Sequence, residues 1–283
     1  MPFLSQKEVL NLKLSCIPLH LLKTLANELK VTTSSSDKSA AIITKVIEKV
    51  DQKEIPESKI EQFIKVEYTK LINERRKIIS DEDLRNELMK VQTYSWGTVQ
   101  GQLDQKIQTE YVRKYARYDE LLENVSNKLH GEVTNYVICT WFNHWTTVLI
   151  EEHISNHPKV VPAIKKVKGI DIFFDRQPFD LKITYLPRGY DPEKAIVNPS
   201  ELAVWMYENQ GEQRFGEHNR LFVILLDKNN PEKSWELKRD FNFVLNKIDS
   251  FFNNEKVSEK DEIIFKYKNK TYTTVAKILM ITK

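Results

Sequence analysis

The sequence predicts a mixed α/β protein, with helices in its N-terminal half and most of its strands in the C-terminal half. Two short runs, 169–175 and 178–184, alternate apolar and other residues with the period of two that half-buried strands show. Residues 221–227 form an apolar run of strand length, as expected of a strand buried on both faces. Residues 132–154, in contrast, lack Gly and Pro and carry apolar residues at helical spacing. We therefore expect a sheet flanked by helices, with an N-terminal helical domain before it.

The first 53 residues predict a small helical module. A helix opens at Pro18, and the polar run 32–37 interrupts it. Asp37 can cap a second helix over residues 38–49. Two short helices joined by a polar turn resemble a SAP-type module, a small DNA-binding unit. The resemblance implies that Lys38, at the start of the second helix, contacts DNA. A plain helical hairpin that serves packing or dimerisation is the alternative.

Residues 54–130 predict a connector of polar helices that leads into a segment rich in tyrosines and cations. Between residues 94 and 122 aromatic rings alternate with positive charges, among them Arg113, Lys114 and Arg117. Such a segment can follow a phosphate backbone, with its rings packed on sugars or bases. An amphipathic helix with its tyrosines in the core is the alternative. We expect packing for the tyrosines and contact with nucleic acid for the three cations.

The helix predicted over residues 132–154 carries acids close to its apolar face. At about 100° per residue, Glu152 falls near the middle of the apolar stripe and Glu151 at its edge. An acid on a buried stripe is costly unless it has a partner. The pattern therefore predicts a partner for Glu152, unless the stripe ends one turn early and leaves this side chain in solvent.

The two alternating runs predict a β-hairpin with Arg176 and Gln177 in its loop. With an even loop, Asp171 lies opposite Lys182, and Asp180 falls diagonally from Asp171 on the same face. Two carboxylates this close repel each other unless a cation lies between them. A magnesium ion bound by their oxygens, with a lysine aimed at its water, can hydrolyse phosphodiesters. A cross-strand salt bridge from Asp171 to Lys182 on an exposed face is the alternative.

Acid-x-Lys triplets recur along this chain, and their position decides which of them matters. Of six such triplets, Asp180–Lys182 is the only one inside a β-pattern. The other five lie in helical or polar stretches, where solvated surface charge is the simplest interpretation. They are Glu28–Lys30, Asp51–Lys53, Glu57–Lys59, Asp104–Lys106 and Glu236–Lys238.

An acid-bearing helix, a strand aspartate and an Asp-x-Lys triplet on the next strand, in this order, resemble the PD-(D/E)xK nuclease superfamily. Size and layout are most similar to a type II restriction endonuclease. The resemblance implies a restriction-endonuclease-like αβββαβ core within residues 131–283. It also implies that Asp171 and Asp180 bind Mg²⁺ together with the Leu181 carbonyl.

The same resemblance assigns roles to the remaining site residues. Superfamily members often carry a glutamate on the preceding helix that joins the metal site, and here Glu152 is the first choice and Glu151 the second. Lys182 matches the lysine that assists the attacking water. Arg188 and Lys194 lie in the loop that leaves the strand of Asp180, where they are expected either to meet DNA or to be simple surface charges.

The resemblance implies Mg²⁺-dependent, sequence-specific cleavage of double-stranded DNA. A homodimer is expected if the target is a palindrome, because two-fold DNA symmetry calls for two-fold protein symmetry. A DNA methyltransferase is the expected partner in the same system. The alternatives are a DNA-binding protein with an inactive nuclease-like core, a structure-specific repair nuclease, and a defence effector that cleaves without sequence preference.

Composition predicts a cytoplasmic protein that does not associate with membranes. Of its 283 residues 41% are hydrophobic, and its two cysteines imply no disulfide framework. The N-terminus lacks the apolar segment of a signal peptide, and the most apolar run, 136–150, is too short to span a bilayer. The net charge of +3 arises in residues 1–50, which hold seven lysines against four acids. This weak bias is compatible with a polyanionic partner.

Overall fold

The computed structural model describes residues 3–92, 105–209 and 218–283. These residues form two compact units: the first combines the chain up to residue 78 with residues 150–283, and the second comprises residues 79–149. The first unit is built around a six-stranded sheet with helices, which confirms a mixed α/β fold.

Helices and strands of the described residues follow the division that the sequence predicts. The α-helices are α1 (Gln6–Ser15), α2 (Leu19–Glu28), α3 (Ser39–Asp51), α4 (Glu57–Ile78), α5 (Asp81–Leu88), α6 (Tyr118–Asn124), α7 (His130–Asn156), α8 (Pro192–Val197), α9 (Pro199–Asn209) and α10 (Phe241–Asn254). The strands are β1 (Val160–Val167), β2 (Ile170–Phe174), β3 (Gln177–Tyr185), β4 (Arg220–Leu226), β5 (Glu262–Tyr267) and β6 (Lys270–Thr282). Short 3₁₀ segments lie at Pro231–Arg239 and Glu259–Asp261, and π-helical turns at Ile107–Val112 and Val125–Leu129.

The sheet has the strand order β1-β2-β3-β4-β6-β5. Strand β4 lies between β3 and β6 and is parallel to both, whereas the other neighbouring pairs are antiparallel. All seven residues of β4 are buried, as the apolar run predicts for a strand covered on both faces. The chain passes from β3 to β4 through α8 and α9.

The β2–β3 hairpin turns one residue earlier than the sequence predicts. Asp175 and Arg176 form the two-residue turn, with positive φ angles of 45° and 64°, and this conformation matches the twist of a tight hairpin. Phe174 pairs with Gln177, so the predicted loop position of Gln177 is wrong. The Gln177 side chain holds the main chain of Leu4, accepting its N–H at 3.0 Å and donating to its carbonyl at 3.3 Å. These contacts anchor Gln177 as a buried strand residue.

The earlier turn shifts the hairpin register by two residues but preserves the face of every side chain. Ile172 pairs with Phe179, and the next step of the same register places Asp171 across from Asp180. The predicted pairing of Asp171 with Lys182 is wrong for this reason. Because side chains alternate with a period of two, the shift leaves both aspartates and the lysine on one face.

The N-terminal helices share a hydrophobic core with the first two strands. Buried residues of α1 to α4, such as Leu14 and Leu22, form one cluster with Val161, Ile170 and Phe173 of β1 and β2. The sequence divides the chain after residue 53, but this core continues across that point into the sheet. The predicted module is therefore packed as part of the first unit.

A buried lysine joins α1 to α4 within this core. Lys13 is 2% exposed, and its Nζ lies 2.8 Å from Glu57 and 2.5 Å from Glu61. Two carboxylates compensate the charge that burial would otherwise make costly. Glu57 of α4 therefore forms an ion pair with Lys13 of α1. The sequence, in contrast, predicts that the Glu57–Lys59 triplet is solvated surface charge.

Helices α2 and α3 lie where the sequence predicts them. Lys38, however, occupies the N-cap of α3 without a side-chain cap, so the predicted capping by Asp37 is wrong. Asp37 instead accepts the Ser34 N–H and binds Lys45 at 2.7 Å, which closes the loop before the helix.

Within the described residues, no helix alone is long and apolar enough to cross a membrane; α1 and α2, which meet at a 119° bend, pass that test only as a pair.

Two further cores cover the two faces of the sheet. One is formed by the end of α7, α10 and inward residues such as Ile172, Leu181 and Val223. The other lies under α9 and β5 and includes Phe222 and Ile224. Successive residues of β4 thus enter opposite cores, which shows that the sheet separates them.

The second unit contains α5, α6, the two π-helical turns and the first part of α7. Leu84, Tyr111 and Phe142 are among its buried residues, whereas Trp141 is exposed. The predicted apolar stripe of α7 is therefore only partly covered by the described residues. The predicted tyrosine-rich segment begins within residues 93–104, which lie outside the described residues.

We expect Leu14→Ala to lower the free energy of unfolding by about 2–5 kcal/mol, because Leu14 is fully buried in the core that α1 shares with β1 and β2. Leu19→Ala, at the exposed start of α2, is the matched control and should change stability by less than about 0.5 kcal/mol. Urea denaturation followed by circular dichroism measures both values. Equal effects would show that α1 does not stabilise the sheet.

Candidate active site on the β2–β3 hairpin

Asp171, Asp180 and Lys182 lie on one face of the sheet at a point where β3 changes its pairing partner. Strand β3 is paired with β2 up to Phe179 and with β4 from Asp180 onward. The residue between the acid and the lysine, Leu181, enters the core on the opposite face. The period-two pattern thus separates an apolar face from a face that carries charge.

Two cations flank the Asp180 carboxylate. Lys182 Nζ lies 3.1 Å from Oδ1, and Arg220 Nε lies 3.1 Å from Oδ2. Arg220 is the direct partner of Asp180 in the parallel β3–β4 register, so both side chains leave the sheet on the same side. Sequence reasoning missed Arg220, although a charged residue at the start of an otherwise apolar strand was a usable signal.

The Asp171 carboxyl group is the second acid of the site. Its Oδ2 accepts the N–H of Leu181 at 2.8 Å. Asp171 as a whole residue is exposed, but desolvation of its carboxyl group raises the pKa of that group. The hydrogen bond from the Leu181 N–H lowers this pKa, and the negative charge of Asp180 raises it further. Repulsion between Asp171 and Asp180 is the situation that a bound cation relieves.

Glu151, on α7, is the acid of that helix that lies close to Asp171. Burial raises its pKa to about 7; the charge of Asp171 adds to the rise, and Lys182 and Lys166 oppose it. These interactions bring Glu151 into the group formed by the hairpin residues. The sequence predicts this position for Glu152 and keeps Glu151 as the second choice.

Glu152 has a different partner. Its carboxylate binds the guanidinium of Arg75 on α4 through both oxygens, with Arg75 Nε 3.0 Å from Oε1. Both side chains are mostly buried. The prediction that Glu152 needs a partner agrees with this contact. Arg75 holds Glu152, whereas Glu151 is the acid of this helix whose charge acts on Asp171, so we favour Glu151 for the proposed metal site.

Lys238 corrects another expectation. The sequence treats Glu236–Lys238 as a solvated triplet, yet Lys238 is fully buried and its Nζ lies 5.2 Å from the centre of the Tyr185 ring. Burial lowers its pKa to about 7, and the charge of Glu151 opposes this change. The apolar neighbours Trp235 and Leu237 were the signal that the segment enters the core.

The donor set at the hairpin fits magnesium better than it fits a metal with a full protein cage. Within the described residues, no group of three or more His, Cys, Asp or Glu side chains is arranged to hold a metal ion. Mg²⁺, however, usually binds through one or two carboxylates and keeps several waters. Asp180 and Asp171 are the carboxylates that the hairpin offers for such a site, and Asp180 Oδ2 accepts no hydrogen bond.

The cations predicted to contact DNA are all exposed. Lys38, Arg113, Lys114 and Arg117 lie on the surface of their respective units, as do Arg188 and Lys194. Lys194 is engaged by Glu201 at 2.8 Å, so it is a surface ion pair in this state.

Sequence reasoning also missed a cation beside the acids. Lys166, near the end of β1, is exposed, and its charge opposes the raised pKa of both Asp171 and Glu151. The pair Lys165–Lys166 immediately before the predicted hairpin was the available signal.

No family model, curated protein or solved structure matches the chain. Its function is therefore inferred from the residues and geometry of this site.

Mg²⁺ affinity is expected to rise about tenfold from pH 6 to pH 8. Glu151 keeps its proton below its pKa of about 7, which burial raises from 4.5, and a carboxyl group binds a metal only after losing that proton. Calorimetric titration of the protein with MgCl₂ at a series of pH values measures the change. The rise should be much smaller in Glu151→Gln, and an identical pH profile in this variant would remove Glu151 from the site.

Glu151→Gln and Glu152→Gln are expected to have opposite signatures. Glu151→Gln should weaken Mg²⁺ binding with little loss of stability, because it removes a buried acid whose pKa is raised. Glu152→Gln should leave Mg²⁺ binding unchanged and lower the free energy of unfolding by about 1–3 kcal/mol, because Arg75 loses a charged partner. Magnesium titration and urea denaturation of both variants decide between them; the reverse pattern would restore Glu152 to the metal site.

Proposed function

We propose that this chain is a Mg²⁺-dependent, sequence-specific DNA endonuclease of the PD-(D/E)xK type. The observation that carries the proposal is the grouping of Asp171, Asp180 and Lys182 on one face of the β2–β3 hairpin. Glu151, from the preceding helix, interacts with the first of these acids.

The order of the surrounding elements supports the proposal. Helix α7, strands β1, β2 and β3, helices α8 and α9, and strand β4 follow one another in the αβββαβ order that the sequence resemblance implies. Strands β3 and β4 are parallel neighbours, so the chain after α8 and α9 enters β4 with Arg220 directly beside Asp180.

Three groups would hold the metal in this proposal. They are the carboxylates of Asp171 and Asp180 and the main-chain carbonyl of Leu181, and Glu151 would join them as a fourth group. Bound Mg²⁺ supplies Lewis-acid stabilisation of the charge that develops on the phosphoryl oxygens. Asp171 is held for this role by the Leu181 N–H, which fixes one of its oxygens.

Lys182 has the freedom that its proposed role requires. Its side chain is 41% exposed, whereas that of Asp180 is 16% exposed, so the ammonium can leave Asp180 and reach a water or a phosphate. There it orients the water for attack on phosphorus by donating hydrogen bonds. Lys166, Arg188 and Lys38 are the exposed cations proposed to contact the DNA backbone.

Sequence specificity, a homodimer and a partner methyltransferase belong to the same proposal. A palindromic target read by two copies of the chain would place one hairpin site at each strand. Digestion of plasmid DNA gives discrete fragments if cleavage is specific and a smear if the chain is a nonspecific effector.

One observation favours a rival function, a DNA-binding protein whose core no longer cleaves. Asp180 already has two cations beside it, and the described residues offer no group of three acids. This rival predicts retention on DNA without any Mg²⁺-dependent cleavage, so a single digestion with and without MgCl₂ separates the two functions.

Asp180→Asn and Lys182→Ala are each expected to reduce the rate of Mg²⁺-dependent cleavage by about 10²-fold or more, because each removes a charge from the reacting centre. DNA binding without metal should persist, and Asp180→Asn should bind DNA slightly more tightly since it removes a negative charge. Single-turnover cleavage of plasmid DNA and gel-shift titrations in EDTA measure the two quantities.

Exposed members of other acid-x-Lys triplets provide the matched controls. Glu28→Gln and Lys59→Ala change the same residue types on the surface of α2 and α4, and both variants should cleave like the unmodified protein. Undiminished cleavage by Asp180→Asn or Lys182→Ala would place the chemistry elsewhere in the chain.

A further inference from the structure

A buried arginine lies directly beside the proposed metal ligands. Arg220, the first residue of β4, is 3% exposed. Its Nε lies 3.1 Å from Asp180 Oδ2, and its guanidinium carbon lies 5.2 Å from the centre of the Tyr207 ring. The arginine is thus enclosed by a carboxylate and an aromatic face.

The Tyr207 ring, over which the Arg220 guanidinium lies, is held in place by contacts with other residues. Tyr207 is fully buried, and its hydroxyl donates to the His218 carbonyl at 2.8 Å. Its ring stacks on Phe265 at 4.6 Å between centres. A cation above a ring held from two sides has little freedom to move away.

The contact between Arg220 Nε and Asp180 Oδ2 is an ion pair. Asp180 Oδ2 is buried and accepts no hydrogen bond, although the guanidinium lies 3.1 Å away. Arg220 therefore compensates the charge of the carboxylate from within the core. Lys182, on the other oxygen, is accessible to solvent and can move.

We propose that Arg220 is the resident counter-ion of Asp180: it compensates the charge of the carboxylate and holds it in place before a divalent cation binds, and its fixed charge weakens that binding. Arg220 is in this sense a positioning residue that acts through Asp180. The second half of the proposal rests on the proposed magnesium site, and the first half does not.

The sign of both effects follows from the chemistry of arginine. A guanidinium group keeps its charge at every pH at which proteins fold. A buried carboxylate without a compensating charge is costly, so removal of Arg220 should destabilise the protein. The same positive charge repels an incoming Mg²⁺, so its removal should strengthen metal binding.

The first experiment titrates the full-length protein with MgCl₂ in the absence of DNA. Arg220→Met removes the charge and retains an unbranched stem that can pack on Tyr207. We expect this variant to bind Mg²⁺ roughly tenfold more tightly than the unmodified protein. Arg220→Lys keeps the charge and should bind Mg²⁺ like the unmodified protein. Unchanged or weaker binding by Arg220→Met overturns the proposal that the charge opposes the metal.

Lys277→Met is the matched control for general disturbance of the fold. Lys277 is also a buried cation on a strand of the sheet, and its Nζ lies 2.8 Å from Glu255 and 3.0 Å from Asp261. This variant should lose stability but leave the Mg²⁺ affinity unchanged. A tighter Mg²⁺ site in Lys277→Met would attribute the effect to loosening of the fold.

The second experiment tests the counter-ion role without reference to a metal. In EDTA, Arg220→Met should lower the melting temperature by roughly 6–15 °C. The loss should be much smaller in an Asp180→Asn background, because the carboxylate that needs the counter-ion is absent. An equal loss in both backgrounds overturns the counter-ion role. If the unmodified protein binds no Mg²⁺, the magnesium site and the second half of the proposal fail, while this comparison still decides the first half.

Discussion

The candidate site depends on one contact, the ion pair between the buried Arg220 and Asp180. Arg220 is the first residue of β4. Strand β4 is buried along its whole length, and Arg220 is its single charged residue. A charge in such a position is costly unless an opposite charge compensates it, and the parallel register places Asp180 beside it. Once Asp180 is fixed, Lys182 follows two residues later on the same face, and the hairpin register brings Asp171 across from Asp180.

The same constraint appears elsewhere in the first unit with a different outcome. Lys13 and Lys277 are buried ammonium groups, and each has two carboxylates as partners. Those pairings join elements of the fold. At the hairpin the ratio of cations to carboxylates is reversed, because Asp180 has two cations as partners. Arg220 is buried, whereas Lys182 is exposed to solvent, and Asp180 Oδ2 accepts no hydrogen bond. Only the second arrangement is suited to exchange of a cation.

The sequence predicted what depends on local periodicity and missed what depends on partners far along the chain. The strand faces of the β2–β3 hairpin and the buried β4 follow from spacing alone. The hairpin turn was misplaced by one residue because nothing local shows that Gln177 would bond the main chain of Leu4. Glu151 and Glu152 point in directions about 100° apart on the helix. Which of them forms an ion pair depends on Arg75, which is distant in sequence and binds Glu152. The sequence predicts the helices of the N-terminal module but could not show that they share a core with β1 and β2.

Charge balance at the hairpin explains why a site with these residues would contain both a fixed and a mobile cation. With Lys182 on Asp180, the two aspartates and two cations are balanced, and the sheet can fold without metal. When Lys182 turns toward a phosphate or a water, Arg220 is the cation that stays in contact with Asp180, and the charge around the two aspartates becomes more negative. Glu151, whose pKa is about 7, adds to that charge as the pH rises. A divalent cation would be attracted only in this second state, so the proposed site couples metal binding to release of the lysine that would act on the substrate.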